Sequence, residues 1–416
     1  MPRALLVTFG SHGDVNPFIG IGNELRRRGW GVTLAANEVF AEQIRAAGLD
    51  FEQLGTREQF EELIDRPDVF HPTRGVRMVF DEACRFAGET ADFVRDSAGE
   101  FNVVAASTLA FGARIAQDGL AGKGDRLRLA TVHLAPSIFW SVEDPPEYGR
   151  SGPPFRRMPR WLRRFMYGGL DVISDALLRG KLTEACRRHG IRTPRRIFRS
   201  WWHSPDRVLA MFPEWYAAPA SDWPGVVRCC GFPAGDGGGD ATLSEELVAW
   251  LDGLDRPPIV ATFGTGNAHA DTLLRAALAA ADRADRIVLA LSRFADGNAG
   301  SRHRFESYVP LSALLPRVGA IVHHGGIGTT ARALRSGTPQ VVTPFSFDQW
   351  DNARRVEELG CGIAIDQYRR SGRHLVDDLV EAFGVQVSVE TRVPVSGFDG
   401  VTRAADEIEI LVGGGP

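Results

Sequence analysis

The chain has 416 residues, a length that favours two domains over one. Its 44% hydrophobic and 24% charged residues are those of a globular protein, and a formal net charge of -4 argues against nucleic acid as a partner. Five cysteines (Cys84, Cys186, Cys229, Cys230, Cys361) are odd in number and lack metal-ligand spacing, so a reducing compartment is expected, with neither a disulfide framework nor a metal.

Ala4 to Phe9 reads as a compact apolar strand rather than a leader, and no apolar run reaches the roughly 18 residues of a membrane span, so a cytoplasmic protein is expected. Gly10 to Pro17 reads as a turn, Phe18 to Arg28 as an amphipathic helix, Gly31 to Ala36 as a second strand and Glu38 to Ala47 as a second helix. Apolar runs at Val103 to Ala106, Leu129 to Leu134 and Val208 to Met211 continue an alternation that specifies a doubly wound parallel sheet. Phe155 to Met166 interrupts it with arginines and aromatics; this is either a solvated helix face or a surface that touches anionic membrane, and Pro159 weakens the second reading. Gly231 to Asp240 has the composition of a linker.

A second alternating set follows. Pro258 to Phe263 is a strand ending in Gly264-Thr265-Gly266, His269 to Ala281 a helix, and Arg286 to Ser292 a strand. Ala320 to Val322 is a buried strand running into His323-His324-Gly325-Gly326-Ile327-Gly328-Thr329-Thr330 and a helix closed by Gly337 and Pro339. A glycine-rich turn into a helix offers backbone N–H groups and a positive dipole end, which suit phosphate. The next strand, Gln340 to Thr343, delivers Asp348 and Gln349 to the start of another helix. Gly362 to Ile365, a helix near His374 to Phe383 and a last amphipathic helix at Asp399 to Leu411 complete the chain.

Ile321 to Asn352 resembles the nucleotide-diphospho-sugar signature of GT-B fold glycosyltransferases of family 1, written HCGWNS…E…DQ in plant members and HHGGxGTT in bacterial ones. The resemblance implies a diphosphate held by His324, Gly325, Gly326, Gly328, Thr329 and Thr265, a base stacked on Tyr308, and sugar hydroxyls held by Asp348 and Gln349. Two positions depart from the pattern: Arg332 replaces the glutamate for the ribose hydroxyls, and Leu311 the glutamine after the base-stacking residue. The Gly10–Pro17 turn is similar to the bacterial form, with Asp14 in the place of the catalytic base; read by itself, Asp14 is more simply a helix-capping or helix-dipole residue and His12 a solvated turn histidine. Arg196 to Phe198, Trp202 to Pro205, Phe212 to Trp215 and Asp222 to Pro233 look like the rhamnosyltransferases of rhamnolipid synthesis.

The resemblance implies two Rossmann-like doubly wound domains facing across a cleft: 1–233 for the acceptor, 234–395 for the donor, and 396–416 crossing back to the first. The implied reaction is inverting and needs neither metal nor cofactor. It carries a hexose from a UDP- or dTDP-sugar (UDP-glucose favoured, dTDP-rhamnose second) to a hydroxyl on a hydrophobic or lipid acceptor near His12, Phe139 and Trp140, with peripheral contact at the inner membrane face as an added expectation. Two rivals are a non-catalytic nucleotide-sugar or lipid-binding subunit and an NAD-dependent oxidoreductase. For the latter, no G-x-G-x-x-G with an acidic residue about 20 positions on is convincing.

Overall fold

The computed structural model describes residues 1–71, 74–149, 152–233, 242–264, 268–292, 302–366, 368, 372–384, 393–394 and 396–414. Thr265, Gly266 and most of the expected linker lie outside the described residues. The chain forms two compact units, one of residues 1–69, 73–238 and 396–416, the other of 70–72 and 239–395.

The first unit is built on seven strands: β1 Arg3–Val7, β2 Gly31–Ala36, β3 Asp50–Gln53, β4 Val103–Ser107, β5 Leu129–His133, β6 Arg207–Ala210 and β7 Val227–Cys229. They lie in the order β3-β2-β1-β4-β5-β6-β7, all parallel. β4 and β5 are buried along their whole length, which explains their uninterrupted apolar sequence. The second unit holds β8 Ile259–Thr262, β9 Val288–Leu291, β10 Arg304–Glu306, β11 Ala320–His323, β12 Gln340–Val342 and β13 Gly362–Ala364, in the order β10-β9-β8-β11-β12-β13, again parallel. Both sheets are Rossmann-like. In each, the order of connection reverses once, between β1 and β4 and between β8 and β11. In open parallel sheets ligands bind at the carboxyl ends beside such a reversal.

The first helix corrects the sequence reading. It spans His12–Arg27 and runs through Pro17, where a turn was expected up to that residue. Ser11 caps it: Gly13 N–H donates to Ser11 Oγ, and Asp14 Oδ2 accepts from Ser11 N–H at 2.8 Å. This reciprocal cap closes the first turn, and it outweighs the single amide hydrogen that proline lacks. β3, β7 and β10 carried no apolar signal because each is short and lies at or near a sheet edge.

The terminal helix, Gly400–Gly413, packs on the first unit. Ala404, Ala405, Ile408 and Leu411 enter the core formed by Val15, Phe18, Ile19 and Leu34. Arg28 bridges to Asp406 at 2.6 Å and Glu409 at 2.8 Å, and Trp30 donates its indole N–H to Glu409. A separate core of Ile259, Ala261, Leu273, Ala277, Val322, Val341 and Leu379 holds the second unit.

Candidate functional site

The second unit places its chemistry at the β8/β11 reversal. Thr262, the last residue of β8, lies opposite His323, the last of β11. His323 is fully buried, and its two nitrogens have fixed roles. Nδ1 accepts from Gly325 N–H at 3.1 Å, so Nε2 carries the proton and donates to Gln340 Oε1 at 3.0 Å. Burial holds this imidazole down to about 3, which keeps it neutral. The turn is therefore shaped by His323, a residue whose role the sequence did not disclose, and Gly325 N–H is already bonded.

His324 points the other way. A Cβ on Gly326 would lie 2.7 Å from its Nε2, and one on Gly264 3.7 Å from its Cε1, so the ring sits between the two glycine turns. Burial lowers its pKa to about 4, opposed by the Thr262 backbone. Gly326 precedes the helix Ile327–Ser336 as its N-cap, and no side chain caps that end. The first-turn N–H groups of such a helix have no partner within it. Thr329 is half-buried beside them, whereas Thr330 is buried and Gly328 O is taken by Arg332 at 2.9 Å.

The Asp348 turn is fastened to this one. Gly325 has φ +93°, and a Cβ there would meet Val342 Cγ1 at 2.9 Å and Gln349 O at 3.0 Å. Only glycine permits that approach without strain. Asn352 Nδ2 donates to Gly325 O at 2.9 Å and to Asp348 Oδ2 at 2.8 Å, linking the two turns through one amide. Gln349 is buried, and its Oε1 accepts from Phe345 N–H and Ser346 N–H. Asp348 thus stands at the start of the helix Gln349–Glu358 with its orientation set by Asn352, while the Gln349 oxygen is spent on the loop before it. Tyr308, two residues after β10, is 68% exposed.

In the first unit, Asp14 follows β1 and Thr108 follows β4, on the two sides of the reversal. Asp14 Oδ2 accepts from both the N–H and the Oγ of Ser11. Burial raises its pKa, with the Ser11 bonds opposing. Gly10 has φ +123°, and a Cβ there would lie 2.3 Å from Asp14 Oδ2, so the carboxylate rests against bare backbone. Asp14 is a capping residue and a desolvated carboxylate at once. His12 is exposed and meets the edge of Phe40. Phe139 is buried, stacked on Trp223 and His203, and half-buried Trp140 packs on Phe198.

Sequence reasoning missed one buried polar chain here. Trp202 donates its indole N–H to His203 Nε2 at 3.2 Å, which leaves the His203 proton on Nδ1. His203 Nδ1 donates to His133 Nε2 at 2.9 Å, and His133 Nδ1 then donates to Thr108 Oγ1 at 2.8 Å. Every tautomer follows from tryptophan having no acceptor. The chain ends at Thr108, half-buried at the carboxyl end of β4. The spaced residues share no motif, so only the tertiary structure joins them.

Residues 4–121 match the glycosyltransferase family 28 N-terminal domain, and residues 277–384 match the C-terminal domain of erythromycin biosynthesis protein CIII-like proteins. The chain belongs to the GT-B glycosyltransferases. Among relatives of this family, O-mycaminosyltylonolide 6-deoxyallosyltransferase of Streptomyces fradiae is 28% identical over 86% of this chain and 84% of its own. Sterol 3-beta-glucosyltransferase of Candida albicans is 27% identical over 91% of this chain, which spans only 25% of that protein. The GT-B fold is shared with the crystal structure of glycosyltransferase VinC in complex with DTDP, at a TM-score of 0.65 and 20% identity over 99% of this chain and 100% of that one.

Proposed function

We propose that the chain transfers a sugar from a nucleoside-diphosphate donor to a hydroxyl of a hydrophobic acceptor, with inversion at the sugar carbon. The observation that carries this reading is the second unit's pair of turns, in which an uncapped helix start lies beside the half-buried His324 ring and Asp348 is tied to Gly325 through Asn352. The diphosphate would lie at Gly326–Thr329, where backbone N–H groups and the helix dipole favour anionic oxygens, with the His324 Nε2 edge beside them. Tyr308 would take the base and Asp348 the sugar hydroxyls, Gln349 adding its amide N–H.

As the bond from the sugar carbon to the diphosphate oxygen breaks, negative charge grows on that oxygen, and the helix start and His324 are aimed to stabilise it without a divalent cation. The acceptor oxygen forms the new bond to the sugar carbon, and its proton passes to Asp14. A carboxylate whose pKa is raised by burial is a stronger base than a solvated one, and such assistance is typically worth about 10²–10⁴-fold. Arg332 stands where an acceptor for ribose hydroxyls is expected, yet a guanidinium only donates, so a deoxyribose donor loses less there. That favours dTDP- over UDP-sugars, in keeping with the DTDP bound by VinC and the deoxysugar named for the Streptomyces enzyme.

The test is a matrix of UDP- and dTDP-sugars against sterol, hydroxy fatty acid and macrolide acceptors, read by mass spectrometry with and without a chelator. A glycosylated acceptor formed in the chelator's presence is the expected product. Failure of every pair to yield one, with reduction of NAD instead, would replace this reading by the oxidoreductase.

A further inference from the structure

The helix Arg160–Arg188 turns two unlike faces outward and inward. Tyr167, Asp171, Ser174, Leu178, Leu182 and Cys186 are buried against the first unit. On the opposite side Trp161 is 72% exposed, Phe165 77%, Val172 70%, Ile173 57% and Leu177 50%. Gly168, Gly169 and Gly180 fall on the same side, and a Cβ at any of them would meet open space. At 1.5 Å per residue the apolar strip from Trp161 to Leu177 is roughly 24 Å long. Scattered exposed apolar side chains are ordinary, but five large ones on one helix mark a surface that binds something.

Charge says what. Arg157 and Arg164 flank Trp161 and Phe165, both are exposed, and among the described residues neither has an ion-pair partner. Their neighbours Arg156 and Arg160 are already bonded to Asp144 and Glu143. Tryptophan and phenylalanine beside unpaired arginines match the boundary of an anionic bilayer, where rings enter the headgroup region and guanidinium groups meet phosphates. A second copy docked symmetrically on this strip would bring the same unpaired arginines toward one another. We propose that the exposed face of Arg160–Arg188 seats the protein on an anionic phospholipid surface, lying in its plane. Pro159 does not oppose this, since the helix begins one residue after it.

The full chain should float with vesicles of phosphatidylcholine containing phosphatidylglycerol and remain behind with pure phosphatidylcholine. The double variant Trp161→Ser/Phe165→Ser should lose binding by at least about tenfold, since each removes a large apolar group from the buried interface. Arg157→Gln/Arg164→Gln should weaken binding by about tenfold at low salt, and less at high salt. Because all four side chains are exposed, thermal unfolding should be unchanged, which separates lost binding from lost folding. Absence of binding to the anionic vesicles, or binding that both variants keep, overturns the proposal. So does a dimer in light scattering that the serine variant dissolves while vesicles stay unbound. Transfer of sugar is not needed for any of these readings.

Discussion

Asp14 carries two loads that separate on mutation. Asp14→Asn retains an oxygen for the Ser11 cap, so the fold should persist and nucleotide affinity should stay within a factor of about two, while turnover falls by about 10²–10⁴-fold. Steady-state rates beside calorimetric nucleotide titration check this; wild-type turnover in the variant removes the base assignment. Gly325→Ala tests the fastening of the two turns. The new methyl group would meet Gln349 backbone in a left-handed conformation, at a cost of about 1–3 kcal/mol, seen as a lower unfolding midpoint. Asp14, His324 and Asp348 could be singled out in the sequence only through their places in the family signature, not through composition or period. Gln349 was legible in position but not in use, since its oxygen is engaged by two backbone N–H groups that only the folded loop brings near.

At the scale of elements, glycine punctuation and apolar runs specified ten of the strands, but not the ends of helices that side chains set. The Ser11–Asp14 cap moved a helix start across Pro17, and no periodicity reports such a bond. The Trp202–His203–His133–Thr108 chain likewise joins the ends of β4 and β5 to the segment before β6. Trp202→Phe removes its only unambiguous donor and leaves His203 Nε2 buried and unbonded, so stability should fall by about 1–3 kcal/mol in urea titration. Retention of the wild-type midpoint would show that the chain is not ordered by the tryptophan.

Among the described residues several histidines are held neutral by desolvation. His203 and His323 lie at about 3 and His324 at about 4, all through burial, and His133 is well below its usual value for the same reason. An unfolded chain protonates histidine near 6.5, so between about 6.5 and about 3 it binds more protons than the folded one. Stability should therefore be full above pH 7 and decline as pH drops through that window; a urea midpoint flat from pH 7 to pH 5 would contradict it. The alternation of strands and helices made the interior of two parallel sheets readable, though not the edge strands β3, β7 and β10, because a doubly wound sheet repeats one local pattern. What the acceptor touches is not readable that way, since loops and buried stacks such as Phe139 on Trp223 follow no period. The proposed nucleoside-diphosphate site is best tested by calorimetric titration of dTDP and UDP into the wild-type chain and His324→Ala. Binding of at least one nucleotide is predicted, weakened about 10–100-fold by the variant, as expected for one hydrogen bond to a charged phosphate. Equal affinity in both proteins, or no binding in either, would contradict it.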